Sequence, residues 1–257
     1  MSEPVELVHL SVEASVATVT LDSPHNRNAL SHRLVDELMS HLATADVSDD
    51  VRVVVLTHTG GTFCAGADLS EAVSEGMERG TRALLALLRA VVTSPKPVVA
   101  VVRGHVRAGG MGLVGACDLA LVSDESSFAF TEALLGLAPA IISLTTRGRL
   151  GDRDAARLYL SSTTFDGRAA AAYGLASESV PAEQLDALLA GRLAELARVS
   201  PQGLRETKSL LNRPLLASMD VDGDRLVELS ARLFASAEAR EGMSAFRERR
   251  EPWWRHG

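Results

Sequence analysis

The sequence is poor in cysteine, and its apolar residues form no segment as long as a membrane helix. Cys64 and Cys117 are the two cysteines among 257 residues, and they give neither a disulfide framework nor a metal-binding spacing. Both lie in apolar runs, which predicts buried free thiols in a reducing compartment. No apolar run approaches the roughly 20 residues of a membrane helix, and the start lacks a signal sequence. We therefore expect a cytoplasmic protein that binds no metal and does not enter the membrane.

The sequence also lacks an excess of basic residues. Its formal net charge is −7 and its pI is near 5.5, which argues against nucleic acid or an anionic membrane as a partner. An anionic ligand would have to be bound by local basic groups and by backbone N–H groups. With 46% hydrophobic and 23% charged residues, the chain can bury a sizeable core in one large domain, or in one domain with a small appendage.

Three apolar runs predict strands that are buried on both faces of a parallel sheet. They are Val51–Thr57, Pro97–Val102 and Leu119–Val122, and each is almost continuously apolar. Before them, Val5–Val12 and Val16–Leu21 alternate between apolar and polar residues, which predicts a pair of strands.

Helical spacing lies between these strands and dominates the later part of the chain. Ser31 is a suitable N-cap for one helix, and residues 81–93 have the periodicity of another. Alternating strands and helices are typical of a layered α/β domain. Four further helices are predicted at Arg168–Tyr173, Pro181–Val199, Pro201–Leu216 and Asp224–Arg250. We therefore predict an α/β core over residues 1–194 and a helical C-terminal region over residues 195–257.

Two glycine-rich loops, over residues 60–68 and 104–115, each follow a predicted buried strand and lead into a helix. The second contains GMGLVG, which satisfies the GxGxxG pattern of dinucleotide-binding folds, but the next strand begins too soon to leave room for a crossover helix. Either loop alone would be an ordinary turn. Because such loops lie on the same side of a parallel sheet, two of their backbone N–H groups can converge on one carbonyl oxygen. Together, the loops predict an oxyanion hole.

Sequence motifs extend over nearly the whole chain. They are NRNALS at 26–31, FCAGADLSE at 63–71, KPVVAVVRG at 96–104, FAFTEALLGLAP at 128–139 and EGMSAFRERREP at 241–252. In this order, they resemble the crotonase (enoyl-CoA hydratase/isomerase) family. The resemblance implies an α/β fold with a layered ββα superhelix core and a helical C-terminal region. It also implies an acyl-CoA substrate, no prosthetic group, and a homotrimer or dimer of trimers.

The resemblance implies that the backbone amides of Ala67 and Gly109 form the oxyanion hole. Of the two carboxylates that flank the substrate in the best-known hydratases, the second is Glu132, the catalytic acid/base, whereas Gly112 occupies the first position. The apolar surroundings of Glu132 are expected to raise its pKa. Its alternative role is that of a helix N-terminal acid after Thr131. The implied contacts to coenzyme A are Arg27, Ala65, Ala67, Asp68, Leu69, Ser70 and Gly109.

Two arginines near these motifs have alternative interpretations. Arg27 is a candidate contact for a phosphate or the adenine of coenzyme A, and is equally well explained as a solvated loop arginine. Arg107 occupies a position where relatives usually have a small or apolar residue. It could meet a polar or acidic acyl tail, although an ordinary surface arginine is favoured.

The activity that these motifs favour is hydration of a 2-enoyl-CoA thioester in fatty-acid or branched-chain amino-acid breakdown. The motifs LGLAPAIIS at 135–143 and FDGRAAAAYGL at 165–175 resemble bacterial methylglutaconyl-CoA hydratases, which favours a short or branched acyl chain. One carboxylate can also shuttle a proton between two carbons, so a 3,2-enoyl-CoA isomerase is the first alternative. Since one carboxylate is missing at Gly112, a catalytically weak acyl-CoA-binding relative is the second.

Overall fold

Two β-sheets and the helices around them form the fold of this computed structural model, which describes residues 5–68, 70–71 and 77–255. The strands β1 to β10 are Val8–Glu13, Val16–Leu21, Val53–His58, Thr62–Cys64, Val98–Val102, His105–Arg107, Leu119–Ser123, Ser127–Ala129, Phe165–Asp166 and Glu178–Val180. The α-helices α1 to α9 are His32–Val47, Glu78–Thr93, Gly109–Ala116, Ala140–Thr146, Asp152–Ser161, Gly167–Ala172, Leu185–Ala197, Pro201–Phe234 and Ala237–Glu248. A 3-10 helical turn, Glu132–Leu135, follows β8.

The larger sheet has the strand order β1-β2-β3-β5-β7-β10. The strands β1 and β2 form the predicted antiparallel pair, whereas β2, β3, β5, β7 and β10 pair in parallel. On one face of β5, Val98 and Ala100 belong to the main core; on the other face, Val99 and Val101 belong to a second apolar cluster with Leu185 of α7. Burial on both faces explains the continuous apolar runs, and the predicted buried strands are confirmed.

The smaller sheet, with the order β4-β6-β8-β9, is absent from the sequence-based prediction. Its strands have two or three residues each, which is too short for a visible alternation, and β4 lies in a segment predicted as a loop. Each of β3, β5 and β7 in the larger sheet is followed by one strand of the smaller sheet and then by helical structure. This repeat is a layered ββα arrangement, and the predicted fold class is confirmed.

The C-terminal helices differ from the prediction at two points. Helix α8 continues from Pro201 to Phe234 with Pro214 inside it, whereas the sequence predicts one helix that ends at Leu216 and another that begins at Asp224. Proline removes a backbone hydrogen bond from a helix interior, but packing of α8 along α2 and α4 supports the continuous helix. The second predicted helix, Asp224–Arg250, is in turn interrupted between Phe234 and Ala237, where α8 ends and α9 begins. In the part of the chain that the structure describes, no helix is long and apolar enough to cross a membrane.

Lys208 of α8 is almost fully buried and links this helix to the core by an ion pair and hydrogen bonds. Its Nζ lies 2.7 Å from Oδ2 of Asp118 and donates hydrogen bonds of 2.9 Å to the carbonyl oxygens of Val91 and Lys96. The same Asp118 oxygen accepts a hydrogen bond from the N–H of Val98, the first residue of β5. Removal of the lysine would therefore leave a largely buried carboxylate without its counter-charge.

We expect Lys208→Met to lower the free energy of unfolding by about 3 kcal/mol, because Asp118 would stay buried without its cation. Arg89→Met is the matched control, since Arg89 of α2 pairs with Asp220 of α8 at the surface, and its loss is expected to cost less than about 1 kcal/mol. Urea denaturation at equal protein concentration measures both values. Equal losses in the two variants would contradict the expected role of the buried pair.

Candidate active site

A cavity of about 620 Å³ lies where the two glycine-rich loops, the 3-10 turn and the C-terminal helices meet. Most residues that the sequence predicts for the site line this cavity; they are Arg27, Ala65, Ala67, Asp68, Ser70, Gly109 and Glu132. The remaining one, Leu69, lies outside the described residues. The fold therefore brings every predicted site residue that it describes to one cavity.

The two glycine-rich loops touch each other at Gly66 and Gly109. Gly66 has a φ of +92°, and a Cβ atom there would lie 2.7 Å from Cβ of Ala108 and 3.2 Å from the nitrogen of Gly109. A Cβ atom at Gly109 would lie 2.9 Å from Cδ1 of Leu30. The N–H of Leu30 in turn donates a hydrogen bond of 2.8 Å to the carbonyl oxygen of Gly66. Gly66 therefore has no room for a side chain, whereas a Cβ atom at Gly109 would require the end of the Leu30 side chain to move.

The backbone amides of Ala67 and Gly109 are not used by the protein itself. Within the described ranges, neither N–H donates a hydrogen bond. Gly109 is the first residue of α3, where a helix leaves N–H groups without intrahelical acceptors and its dipole favours negative charge. Ala108, just before it, has a strained φ of 45°. Two unused donors on touching loops suit an oxygen atom that gains negative charge.

Glu132 brings a carboxyl group to the cavity. It begins the 3-10 turn after β8, and its Oε2 atom is buried without a hydrogen-bond partner. Burial raises the pKa of this carboxyl group from 4.5 to about 7. The turn has only four residues and Thr131 makes no side-chain cap, so a role in stabilising a helix N-terminus has little support. The carboxyl group can gain or lose a proton near neutral pH.

The cavity wall on the side of the first loop is polar. Asp68 accepts hydrogen bonds from the backbone N–H and the hydroxyl of Ser70, at 2.9 and 2.5 Å, and from the amide of Asn26 at 3.4 Å. Burial opposes ionisation of Asp68, but these hydrogen bonds outweigh it and lower its pKa. Arg27 is exposed and, among the residues described, its guanidinium has no partner. Its carbonyl oxygen accepts the N–H of Ala65 at 3.1 Å, which ties Arg27 to the first loop.

Gly112, the position of the missing carboxylate, is packed against Ile142 of α4. A Cβ atom at Gly112 would lie 2.6 Å from Cγ2 and 3.0 Å from Cβ of Ile142. The carbonyl oxygen of Gly112 also accepts a hydrogen bond of 2.8 Å from the hydroxyl of Thr145, which holds α3 and α4 together. Ile142 itself lines the cavity. An acidic side chain at position 112 would therefore have to displace an isoleucine from the wall.

Apolar side chains from distant parts of the chain complete the wall, and they were not predicted as site residues. They are Leu84, Leu135, Leu137, Ile141, Ile142, Phe234 and Phe246. Ile142 and Phe246 lie inside the motifs at 135–143 and 241–252, so the sequence could have indicated that they are near the site. Leu84 and Phe234, in contrast, are ordinary apolar residues of helices α2 and α8, and only the fold places them at the cavity.

The raised pKa of Glu132 predicts a dependence of stability on pH. Because the folded-state pKa of about 7 lies above the ordinary 4.5, the contribution of the protonated group is complete below pH 4.5 and is lost as pH rises through about 7. Glu132→Gln removes the titrating group, so we expect it to be more stable than the wild type by about 1–3 kcal/mol at pH 8 and nearly equal at pH 5. Denaturant unfolding at both values measures this. A difference that does not change with pH would contradict the assignment.

The contact between Gly112 and Ile142 predicts a coupled pair of substitutions. Gly112→Glu is expected to lower the free energy of unfolding by about 3 kcal/mol, because it overpacks the wall and buries an acid. Ile142→Ala removes the clashing methyl group. The loss in the double variant is therefore expected to be about 1–2 kcal/mol smaller than the sum of the two single losses. Thermal and urea unfolding of the wild type, both single variants and the double variant give the coupling energy. Additive effects would show that the two positions do not compete for one space.

Comparisons with known proteins identify the family of this chain. The sequence model described as "Enoyl-CoA hydratase/isomerase" matches residues 11–257. An enoyl-CoA hydratase from Mycobacterium avium has 50% sequence identity and a TM-score of 0.91, and the match covers 98% of this chain and 100% of that one. The mevalonyl-coenzyme A hydratase of Aspergillus fumigatus is 32% identical over 248 residues, which covers 93% of this chain and 91% of that protein. The chain belongs to the enoyl-CoA hydratase/isomerase family, the crotonases.

Proposed function

We propose that the protein is an enoyl-CoA hydratase that adds water to the double bond of a 2-enoyl-CoA thioester. The observation that carries this proposal is Glu132, whose Oε2 atom is buried without a hydrogen-bond partner and whose pKa is raised by burial to about 7. The same cavity is lined by Ala67 and Gly109, whose amides are unused. The similarity to the hydratase from Mycobacterium avium supports the same activity.

The amides of Ala67 and Gly109 would bind the carbonyl oxygen of the thioester. When water adds to Cβ, the electron pair of the double bond moves towards the thioester, and negative charge develops on that oxygen. A preorganised donor of this kind commonly contributes about 3–4 kcal/mol to transition-state stabilisation. Both donors belong to the backbone of closely packed loops, so they would need little rearrangement as the charge appears.

Glu132 would act first as a base and then as an acid. The ionised carboxylate takes a proton from water while the water oxygen bonds to Cβ, and the protonated carboxyl group then delivers that proton to Cα of the enolate. The sum is addition of H and OH across the double bond, and the enzyme returns to its starting state. A pKa of about 7 suits both proton transfers at neutral pH.

The coenzyme A moiety would lie along the wall formed by the first glycine-rich loop. Ala65, Asp68 and Ser70 line the cavity there, and we propose that Leu69 belongs to the same groove. Arg27 is exposed and unpartnered beside this wall, so we assign it to a phosphate or the adenine of coenzyme A. The proposed chemistry uses no prosthetic group.

The acyl chain would lie against the apolar wall that includes Ile142. We propose a short or branched chain for this space, and the similarity to the mevalonyl-coenzyme A hydratase of Aspergillus fumigatus, whose acyl group is branched, supports this choice. Phe234 and Phe246 reach the cavity from α8 and α9, so residues 195–257 would close the site as a lid. Such an activity belongs to fatty-acid or branched-chain amino-acid breakdown.

The same C-terminal region is proposed to hold subunits together in a homotrimer or a dimer of trimers in the cytoplasm. Leu210, Leu211 and Val221 of α8 are 71%, 74% and 81% exposed. Exposed apolar residues of this kind are covered when a helix packs against a neighbouring subunit.

A 3,2-enoyl-CoA isomerase is the alternative that one observation favours. With Gly112 in place of the first carboxylate, Glu132 is left to move a proton between two carbons, and isomerisation requires nothing more. A weak acyl-CoA-binding protein would bind thioesters without turnover. The three possibilities give different products from the same set of substrates.

We expect Glu132→Gln to lower kcat/KM for crotonyl-CoA by at least about 100-fold, because it removes the only proposed base. The wild-type kcat/KM is expected to rise with pH and to level off above about 7, where Glu132 is ionised. The loss of enoyl absorbance measures both quantities, and Glu125→Gln, an exposed glutamate outside the cavity, is the control.

Near-normal hydration by Glu132→Gln would contradict the proposed role of Glu132. Turnover of 3-enoyl but not 2-enoyl thioesters by the wild type would select the isomerase. Binding without turnover of either substrate would select the acyl-CoA-binding protein.

A further inference from the structure

Arg107 is a half-buried arginine of β6 that lines the cavity and takes no part in the proposed reaction. Its Nη1 donates hydrogen bonds of 2.8 Å to the carbonyl oxygen of Val106 and of 2.6 Å to that of Ser127. Its Nη2 donates one of 2.9 Å to the hydroxyl of Ser127. All three acceptors are uncharged groups, so within the described residues the positive charge has no carboxylate partner.

These contacts use only one edge of the guanidinium group. An arginine has five N–H donors, and the contacts to Val106 and Ser127 leave the Nε–H and the second Nη2–H of Arg107 without acceptors in the described part of the chain. Arg192 shows what that edge binds elsewhere in the protein, because its Nε and Nη2 lie 2.6 and 2.7 Å from the two carboxylate oxygens of Glu178. The same pair of donors on Arg107 is free.

Burial makes this unpaired charge unfavourable unless a ligand compensates it. Desolvation lowers the pKa of the Arg107 guanidinium, and no neighbouring acid opposes that effect. Arg52 is a useful contrast, because its Nε atom is fully buried and has no hydrogen-bond partner. The Nε atom of Arg107 is not among the fully buried atoms without a partner. An unpartnered donor pair on a residue that lines the cavity is suited to an incoming anion.

We propose that Arg107 binds an oxyanion of the substrate, a carboxylate or a phosphate, through its free Nε and Nη2 donors. The proposal rests on the proposed function, because it assumes an acyl-CoA in this cavity. Arg107 precedes the proposed oxyanion-hole residue Gly109 by two positions and pairs with Ala129, three residues before Glu132. Two parts of the substrate can supply the anion: an acidic end of the acyl chain, or the phosphates of coenzyme A.

Equilibrium binding of saturated thioesters separates these sources, because such ligands bind without reacting. Titration calorimetry with butyryl-CoA, glutaryl-CoA and butyryl-pantetheine compares a neutral acyl chain, an acidic acyl chain and a ligand without phosphates. The variants are Arg107→Gln and Arg107→Lys. Arg205→Gln is the control, since Arg205 is exposed on α8, pairs with Glu206 and does not line the cavity. Thermal unfolding verifies that each variant is folded.

We expect Arg107→Gln to weaken binding of the anion-bearing ligand by about 10- to 100-fold and Arg205→Gln to leave it unchanged. If Arg107→Gln loses affinity only for glutaryl-CoA, the anion that Arg107 binds is the acyl carboxylate. If it loses affinity equally for both CoA thioesters and not for butyryl-pantetheine, the anion is a phosphate of coenzyme A. Arg107→Lys is expected to be intermediate, because a lysine keeps the charge and lacks the paired donors.

Two results would overturn the proposal: unchanged binding of all three ligands by Arg107→Gln, or an equal loss that includes butyryl-pantetheine. The second would mean that Arg107 only fastens β6 to β8. If the wild type bound no thioester at all, the proposed function itself would fail and this proposal with it. If the wild type and Arg107→Gln bound the thioesters equally well, the proposed anion site would fail and the proposed function would stand.

Discussion

The close contact between the two glycine-rich loops is the constraint on which the proposed site depends. The first glycine-rich segment contains β4, and the second contains β6 and the start of α3, so neither is wholly a loop. The strands β4 and β6 pair in parallel with Cys64 opposite Val106. At the point of contact between the two segments, Gly66 has no space for a Cβ atom. A side chain at Gly66 would push the loops apart and move the amides of Ala67 and Gly109 relative to each other. Two strands of only three residues each therefore set the geometry of the proposed oxyanion hole.

The second constraint is the environment of Glu132. Its Oε2 atom is buried without a hydrogen-bond partner, and burial raises the pKa of the carboxyl group to about 7. At Gly112, which the family resemblance places at the first carboxylate position, a Cβ atom would clash with Ile142. The proposed reaction therefore depends on one acid/base. The cost of burying Glu132 in its ionised form is part of what makes it a suitable base.

The sequence predicts those parts of the fold whose signal is local. The buried strand Val98–Val102 is recognisable because both of its faces pack on apolar layers, whereas β9 has only two residues and no pattern of its own. The sequence predicts separate helices that end at Leu216 and begin at Asp224, because the packing that joins these segments into α8 is tertiary. Glu132 and Gly109 could be placed in the site by motif. Phe234 could not, because an apolar residue of a long helix gives no sign of which cavity it reaches.

The central claim is that a thioester carbonyl binds between the two loops with Glu132 as the acid/base beside it. A crystal structure with a bound saturated acyl-CoA tests this most directly. We expect the thioester oxygen to lie about 2.7–3.1 Å from the nitrogens of both Ala67 and Gly109. We also expect Glu132 to be the only ionisable side chain next to Cα and Cβ. A thioester oxygen bound away from these amides, or a different acid beside Cβ, would contradict the account.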